Sequence, residues 1–181
     1  LDATLDGVPG LDARGVFGAL DVLRRVSAGR PPELGQRVLV VGGGNTAIDV
    51  ARTALRLGAS TTILYRRTRA ELPADPDEVA DFLDEGGTLE ELVSPVAAIA
   101  SSGTLAAVEC LRNRLGEPDA DGRRRPIPIT ESRFRVPATS LVLAIGQRAA
   151  SPEFAQPLEA DPCTGRPGSA RIYAGGDAAR G

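Results

Sequence analysis

One continuous run limits the possible folds more than any other feature. Arg37-Val38-Leu39-Val40-Val41 leads into Gly42-Gly43-Gly44-Asn45-Thr46-Ala47, and residues 45–57 then follow a helical period closed by Gly58. The first piece is β-branched and apolar without alternation, as a strand covered on both faces of a parallel sheet must be. The helix spaces Ile48, Ala51 and Leu55 along one packed side, and a glycine just past its end is the usual stop. Strand, glycine turn and helix in that order make the first half of a βαβ unit.

The glycine turn satisfies the G-x-G-x-x-G/A pattern. Gly42 allows the tight turn, Gly44 lets a pyrophosphate approach the backbone, and Ala47 lets helix and strand pack closely. Gly43 completes the turn, and the amides at Asn45 and Thr46 point with the helix dipole to where a pyrophosphate would sit. A lone match is weak evidence, but its place between a buried strand and a helix makes dinucleotide binding the expected function. A second strand, 61–65, then runs into Arg66-Arg67-Thr68-Arg69. An NAD-selective site places a carboxylate here to accept from the ribose 2′-hydroxyl. Guanidinium groups cannot accept that bond and suit a 2′-phosphate. NADPH is therefore the expected nucleotide, with Arg66 and Arg67 as its phosphate readers and Arg69 in support.

Around this unit, residues 1–15 are rich in glycine and turn formers and are expected to be a lead-in or linker. From Val16 the spacing of Val16, Leu20, Leu23 and Val26 predicts a short amphipathic helix ended by Gly29 and Pro31-Pro32. A charged helix is expected over 75–85. Strand-like segments follow at 88–93, 96–100, 105–112, 133–136 and 141–145, with a three-stranded meander formed between about 95 and 137. Residues 116–130 suit an exposed hairpin loop despite three consecutive arginines. The fold class is thus α/β, a Rossmann-like parallel sheet with a β-meander. Residues 16–149 form the NADPH-binding domain, and 1–15 and 150–181 are lead-in and return segments that pack loosely or as remnants of a second domain.

Composition removes whole classes of chemistry. All 21 basic residues are arginine, and histidine is absent. A phosphate-gripping P-loop lacks its lysine, a Ser-His-Asp or Cys-His nucleophile lacks its base, and zinc lacks its usual ligands, so no metal is expected. A short-chain dehydrogenase, with its catalytic tyrosine and lysine, is rejected on the same ground. Cys110 and Cys163 are too far apart in sequence for a Cys-x-x-Cys redox pair. A net charge of -3 argues against nucleic acid. No apolar run approaches the roughly 20 residues that span a bilayer, and no signal peptide is visible. The expectation is a cytoplasmic protein with neither a nucleic-acid nor a membrane partner.

Six blocks in order, GVPGLDARGVFGALDVLRR, VLVVGGGNTAIDVARTALRLGA, YRRTRAELPA, GRRRPIPI, LAIGQRA and IYAGGDAARG, resemble the pyridine-nucleotide and flavin half of glutamate synthase small (beta) subunits. The architecture is also similar to the NADPH module of dihydropyrimidine dehydrogenase and, more distantly, to thioredoxin reductase. The resemblance implies the NAD(P)-binding domain of the flavoproteins that bind two dinucleotides, here inserted into an FAD domain. It implies that Ala144, Ile145 and Gly146 form the second crossover between those domains. It also implies that Asn45 and Thr46 face nucleotide phosphates, that Asp49 lies toward the nicotinamide, and that Asp177 binds the ribityl or pyrophosphate part of FAD. Thr139-Ser140 and Ala149-Ala150 depart from the family's pattern.

The resemblance further implies that iron–sulfur cysteines and a first glycine fingerprint for FAD precede residue 1, and that a flavin-completing helix follows Gly181. The chain is then a fragment, inactive alone, of a parent that passes hydride from NADPH to FAD. From there electrons go through iron–sulfur centres to a glutamate synthase large subunit or another acceptor. The alternative is a non-catalytic NADPH-binding sensor or scaffold, which has no use for Gly175-Gly176-Asp177.

Overall fold

A computed structural model describes residues 7–118 and 122–146, which all lie within one compact unit. Five parallel strands form its central sheet: β1 (Val16–Gly18), β2 (Arg37–Val41), β3 (Ser60–Tyr65), β4 (Thr88–Glu91) and β9 (Ser140–Leu143), in the order β1-β9-β2-β3-β4. Three helices, α1 (Ala19–Ser27), α2 (Asn45–Arg56) and α3 (Pro76–Asp84), connect them. An antiparallel sheet is built from β5 (Val93–Ser101), β6 (Thr104–Pro118), β7 (Arg124–Pro128) and β8 (Phe134–Pro137).

The pleat of β2 shows how these layers stack. Val38 and Val40 point into a core shared with Val22 of α1, Ile48 and Ala51 of α2, Phe82 of α3 and Ile63 of β3. Leu39 and Val41, on the opposite face, join Leu105, Val108 and Cys110 of β6 and Leu141 of β9. Strand β2 is therefore apolar at every position but its first because both faces are covered, one by helices and one by the antiparallel sheet. The α/β class, the parallel sheet, α2 and α3 are as expected from the sequence. Helix α3 opens with Asp75 as its cap, Oδ1 accepting from the Asp77 amide at 2.9 Å, and with Pro76 in the first turn.

Three expectations need correction. Residues 16–18 are not the start of a helix: Val16 and Phe17 pair in parallel with Leu141 and Val142, and α1 begins only at Ala19. The lead-in is not loose over 7–15. The Pro9 carbonyl accepts from the Ala98 amide, and the Arg14 backbone exchanges bonds with Gly103 and Leu105, stitching this stretch to the antiparallel sheet. The antiparallel sheet holds the expected three-stranded meander, β5-β6-β7, and carries β8 beside it on β6. Strand β6 is its hub, pairing with β5, β7 and β8, whereas β7 and β8 are not neighbours. Finally, 116–130 is not mainly loop, since Gly116–Pro118 extends β6 and Arg124–Pro128 forms β7. The 150–181 segment lies outside the described residues.

Candidate dinucleotide site

The fingerprint sits at the carboxyl end of β2, between the carboxyl ends of β9 and β3. This is where the strand order reverses and where open α/β sheets bind ligands. Gly42 has φ +145°, and a Cβ there would strike the Ala144 carbonyl. The Ala144 amide in turn donates to the Val41 carbonyl at 2.8 Å. The turn and the start of the 144–146 segment are therefore brought together, with Ala144 and Ile145 half-buried and Gly146 exposed. Gly43 is buried beneath the Tyr65 ring and Leu72, with no room for a side chain.

Gly44 contrasts with both. Among the described residues nothing lies within 4 Å of a Cβ built on it and no side chain caps α2; the Ala47 amide donates to the Gly44 carbonyl at 2.9 Å, while those of Asn45 and Thr46 are left without an intrahelical acceptor. An open glycine face beside uncapped amides fits the pyrophosphate of a dinucleotide. Ala47 is fully buried between helix and strand, as close packing requires. Thr46 is half-buried, and Asn45 and Asp49 are exposed. Asn45 is partly committed, because its Oδ1 accepts from the Asp75 amide at 2.9 Å and only its amide NH2 remains for a phosphate.

The two arginines after β3 diverge. Among the described residues the Arg66 guanidinium has no hydrogen-bond or ion-pair partner, and the residue is exposed. Arg67 is 5% exposed, and its Nε donates to the Arg124 carbonyl at 2.7 Å. The two expected phosphate readers thus stand differently: Arg66 is open to solvent, whereas Arg67 is packed against the β6–β7 hairpin. Arg69 is exposed and lines a cavity of about 440 Å³ with Ala70, Leu72, Ala74, Pro76 and Val79.

Several residues passed over in the sequence organise this end of the site. The Tyr65 hydroxyl donates to the Glu71 carbonyl at 2.7 Å, and the Ala74 amide donates to the Gly43 carbonyl at 3.1 Å, folding residues 68–74 against the fingerprint. Glu71 accepts from the Thr68 amide and hydroxyl with one oxygen and from Arg124 Nε with the other. The Thr68 hydroxyl chiefly, together with the Thr68 amide and Arg124, holds the Glu71 carboxyl below its usual range. The Thr-x-x-Glu spacing of a capping box was legible for this pair. Nothing in the sequence marks Arg124 or Asn113, whose Nδ2 donates to the Arg66 carbonyl at 3.0 Å.

Asp177 lies outside the described residues, as does the flavin expectation that rests on it. Among the described residues no cluster of His, Cys, Asp and Glu is placed to hold a metal, and no helix is long and apolar enough to cross a membrane.

Residues 2–91 match the model of a family described as pyridine nucleotide-disulphide oxidoreductase. The chain is 49% identical over 132 residues to the NADPH-Fe(3+) oxidoreductase subunit beta of Geobacter sulfurreducens, a match covering 72% of this chain and 20% of that protein. It is 41% identical to the NADP(+)-dependent formate dehydrogenase subunit beta of Moorella thermoacetica, covering 94% of this chain and 26% of that protein. With the glutamate synthase (NADPH) small chain of Halomonas elongata the figures are 40%, 82% and 34%. The chain thus spans between a fifth and about a third of the length of these relatives. In fold it resembles Mycobacterium tuberculosis FprA in complex with NADPH, with a TM-score of 0.71 at 20% identity, over 93% of this chain and 54% of that one. It also resembles Lactococcus lactis thioredoxin reductase, with a TM-score of 0.58 at 20% identity, over 81% and 42%.

Proposed function

From the match of residues 2–91 to the pyridine nucleotide-disulphide oxidoreductase family, we propose that the chain belongs to that family and is the NADPH-binding part of a flavin oxidoreductase. In this reading hydride passes from NADPH to an FAD held by a longer protein, most like a glutamate synthase small subunit. Electrons then go on through iron–sulfur centres to a partner subunit. The relatives named for NADPH or NADP(+) support the nucleotide. The observation that carries the proposal is the open face of Gly44, beside the uncapped start of α2, with the exposed Arg66 guanidinium, which has no partner among the described residues, on the neighbouring strand end.

When bound, NADPH supplies the hydride, so the protein's task is orientation and electrostatics. The amides of Gly44, Asn45 and Thr46 meet the pyrophosphate. Gly42 and Gly43 let the backbone turn beneath it, and Ala47 lets α2 start close to the sheet. Arg66 meets the 2′-phosphate, with Arg69 nearby. Asp49, one helical turn further along α2, lies toward the nicotinamide, and Ala144, Ile145 and Gly146 lead the chain back to the flavin domain, where Asp177 contacts FAD. No proton transfer by a side chain is required, which agrees with a chain lacking histidine and lysine.

Calorimetric titration of Arg66→Ala with NADPH and NADH tests the assignment. A charge-assisted bond contributes about 1.5–3 kcal/mol, so NADPH binding is expected to weaken by roughly 10- to 150-fold while NADH binding is nearly unchanged. Equal losses for the two nucleotides would show that Arg66 does not read the phosphate.

A further inference from the structure

The pairing of β3 with β4 ends at Tyr65 and Glu91, so from Arg66 onward the chain leaves the ladder that held it. A long side chain that must meet a phosphate needs its own backbone fixed, since loose anchoring misplaces the charge. What replaces the ladder comes in part from the other sheet, through Asn113 and Arg124, and in part from the β4–β5 junction and Glu91, whose Oε2 accepts from the Arg69 amide at 2.9 Å. The Arg66 carbonyl accepts from Asn113 Nδ2 at 3.0 Å, and the Arg67 carbonyl accepts from the Leu92 amide at 3.0 Å. The turn's far end is held by Arg124, whose Nε donates to Glu71 Oε1 at 2.9 Å, while Arg67 Nε closes onto the Arg124 carbonyl at 2.7 Å. Asn113 and Arg124 both belong to the arm made by the distal half of β6 and by β7, which pair from Asn113 onward.

Asn113 is an unusual choice for this position. It is 4% exposed, its Nδ2 also donates to Ser94 Oγ at 2.9 Å, and its Oδ1 has no hydrogen-bond partner among the described residues. Burying an amide with one end unsatisfied is unfavourable, and an apolar side chain would fill the same space without that cost. What the amide adds is a donor for the carbonyl of Arg66. We propose that the β6–β7 arm is the positioning element of the phosphate-reading turn, Asn113 fixing the Arg66 backbone and Arg124 fixing Glu71. The preference for a nucleotide bearing a 2′-phosphate then depends on these two positioning residues. The inference rests on the reading of Arg66 given under Proposed function.

The test is a titration of the 181-residue chain with NADPH and NADH, using Asn113→Leu, Arg124→Ala and each of these combined with Arg66→Ala. Each single variant is expected to weaken NADPH by roughly fivefold, the worth of one hydrogen bond, with NADH changed by less than about twofold. In the Arg66→Ala background neither is expected to weaken NADPH further, because contacts that act through one group are not additive. Arg124→Lys, which keeps a cation beside Glu71, is expected to recover most of the loss. Equal losses for the two nucleotides, or the same NADPH loss with and without Arg66, would reveal a merely structural role and overturn the proposal. Should Asn113→Leu fail to fold by circular dichroism, Arg124, whose side chain is 51% exposed, gives the deciding variant. If Arg66→Ala weakens NADPH but the arm variants do not, the arm proposal alone falls. If Arg66→Ala leaves NADPH untouched, the reading of Arg66 falls and takes the arm with it.

Discussion

Two glycines two positions apart separate folding from binding at the level of single atoms. Gly42 needs its φ of +145°, and a methyl there would run into the Ala144 carbonyl. Gly42→Ala is expected to lose about 1–3 kcal/mol of stability in urea unfolding, along with nucleotide binding. Gly44 has an ordinary extended conformation and open space where a Cβ would sit. Gly44→Ala should therefore unfold within about 0.5 kcal/mol of the parent protein yet bind NADPH far more weakly, the methyl occupying the approach of the pyrophosphate. Unchanged affinity in a folded Gly44→Ala protein would mean that the dinucleotide does not cross this turn. Cys110 is a quieter residue: burial among β6 neighbours pushes its thiol up to about 12. It is expected to ignore a disulfide thiol reagent at pH 8 until denaturant exposes it, which absorbance titration would show.

Helices α2 and α3 are held together by packing and by charge. Phe82 is fully buried against α2 and the sheet, so Phe82→Ala should cost about 3–5 kcal/mol in chemical denaturation. At the rim, Glu85 accepts from Arg52 and Arg56, and these bonds lower its carboxyl from 4.5 to about 2. A carboxyl lowered on folding adds stability that is fully present above the unfolded value and lost as pH falls through the folded one. The gap in melting temperature between the parent protein and Glu85→Gln should accordingly be open at pH 7 and close between pH 4.5 and about 2. A gap that stayed constant with pH would assign Glu85 no role through its charge. Strands β2 and β3 and helix α2 were legible because local pattern and tertiary environment agree there. Residues 16–18 misled because helical spacing continued into a segment that β9 recruits as an edge strand, a long-range contact that no local window contains. Leu92, at φ 56°, breaks what looked like one strand into β4 and β5. In the site, the turn and Arg66 were visible as motif and charge. The burial of Arg67 was not, because it depends on a carbonyl 57 residues away.

For the molecule as a whole, the sequence carries one glycine fingerprint, at 42–47, and FAD would need a glycine turn and helix start of its own. The 181-residue chain, mixed with FAD and NADPH, is expected to remain unflavinated after desalting and to leave NADPH unoxidised with ferricyanide as acceptor. Retention of stoichiometric flavin would require a second diphosphate cradle within these residues. The order β1-β9-β2 has a further consequence, for the time at which the fold becomes possible. Strand β9, the last to be synthesised of those described, is inserted between two of the first, and among the described residues β1 has no other strand neighbour. While a ribosome is still making residues 19–139, β1 lacks the one described strand it pairs with and β2 presents an apolar edge to the place of β9. The central seam closes only when residues 140–143 emerge, so folding waits on the longest-range contact in the sheet and is slowed by it. Until then the nascent chain offers chaperones, or a second copy of itself, the very edge that β9 will later occupy.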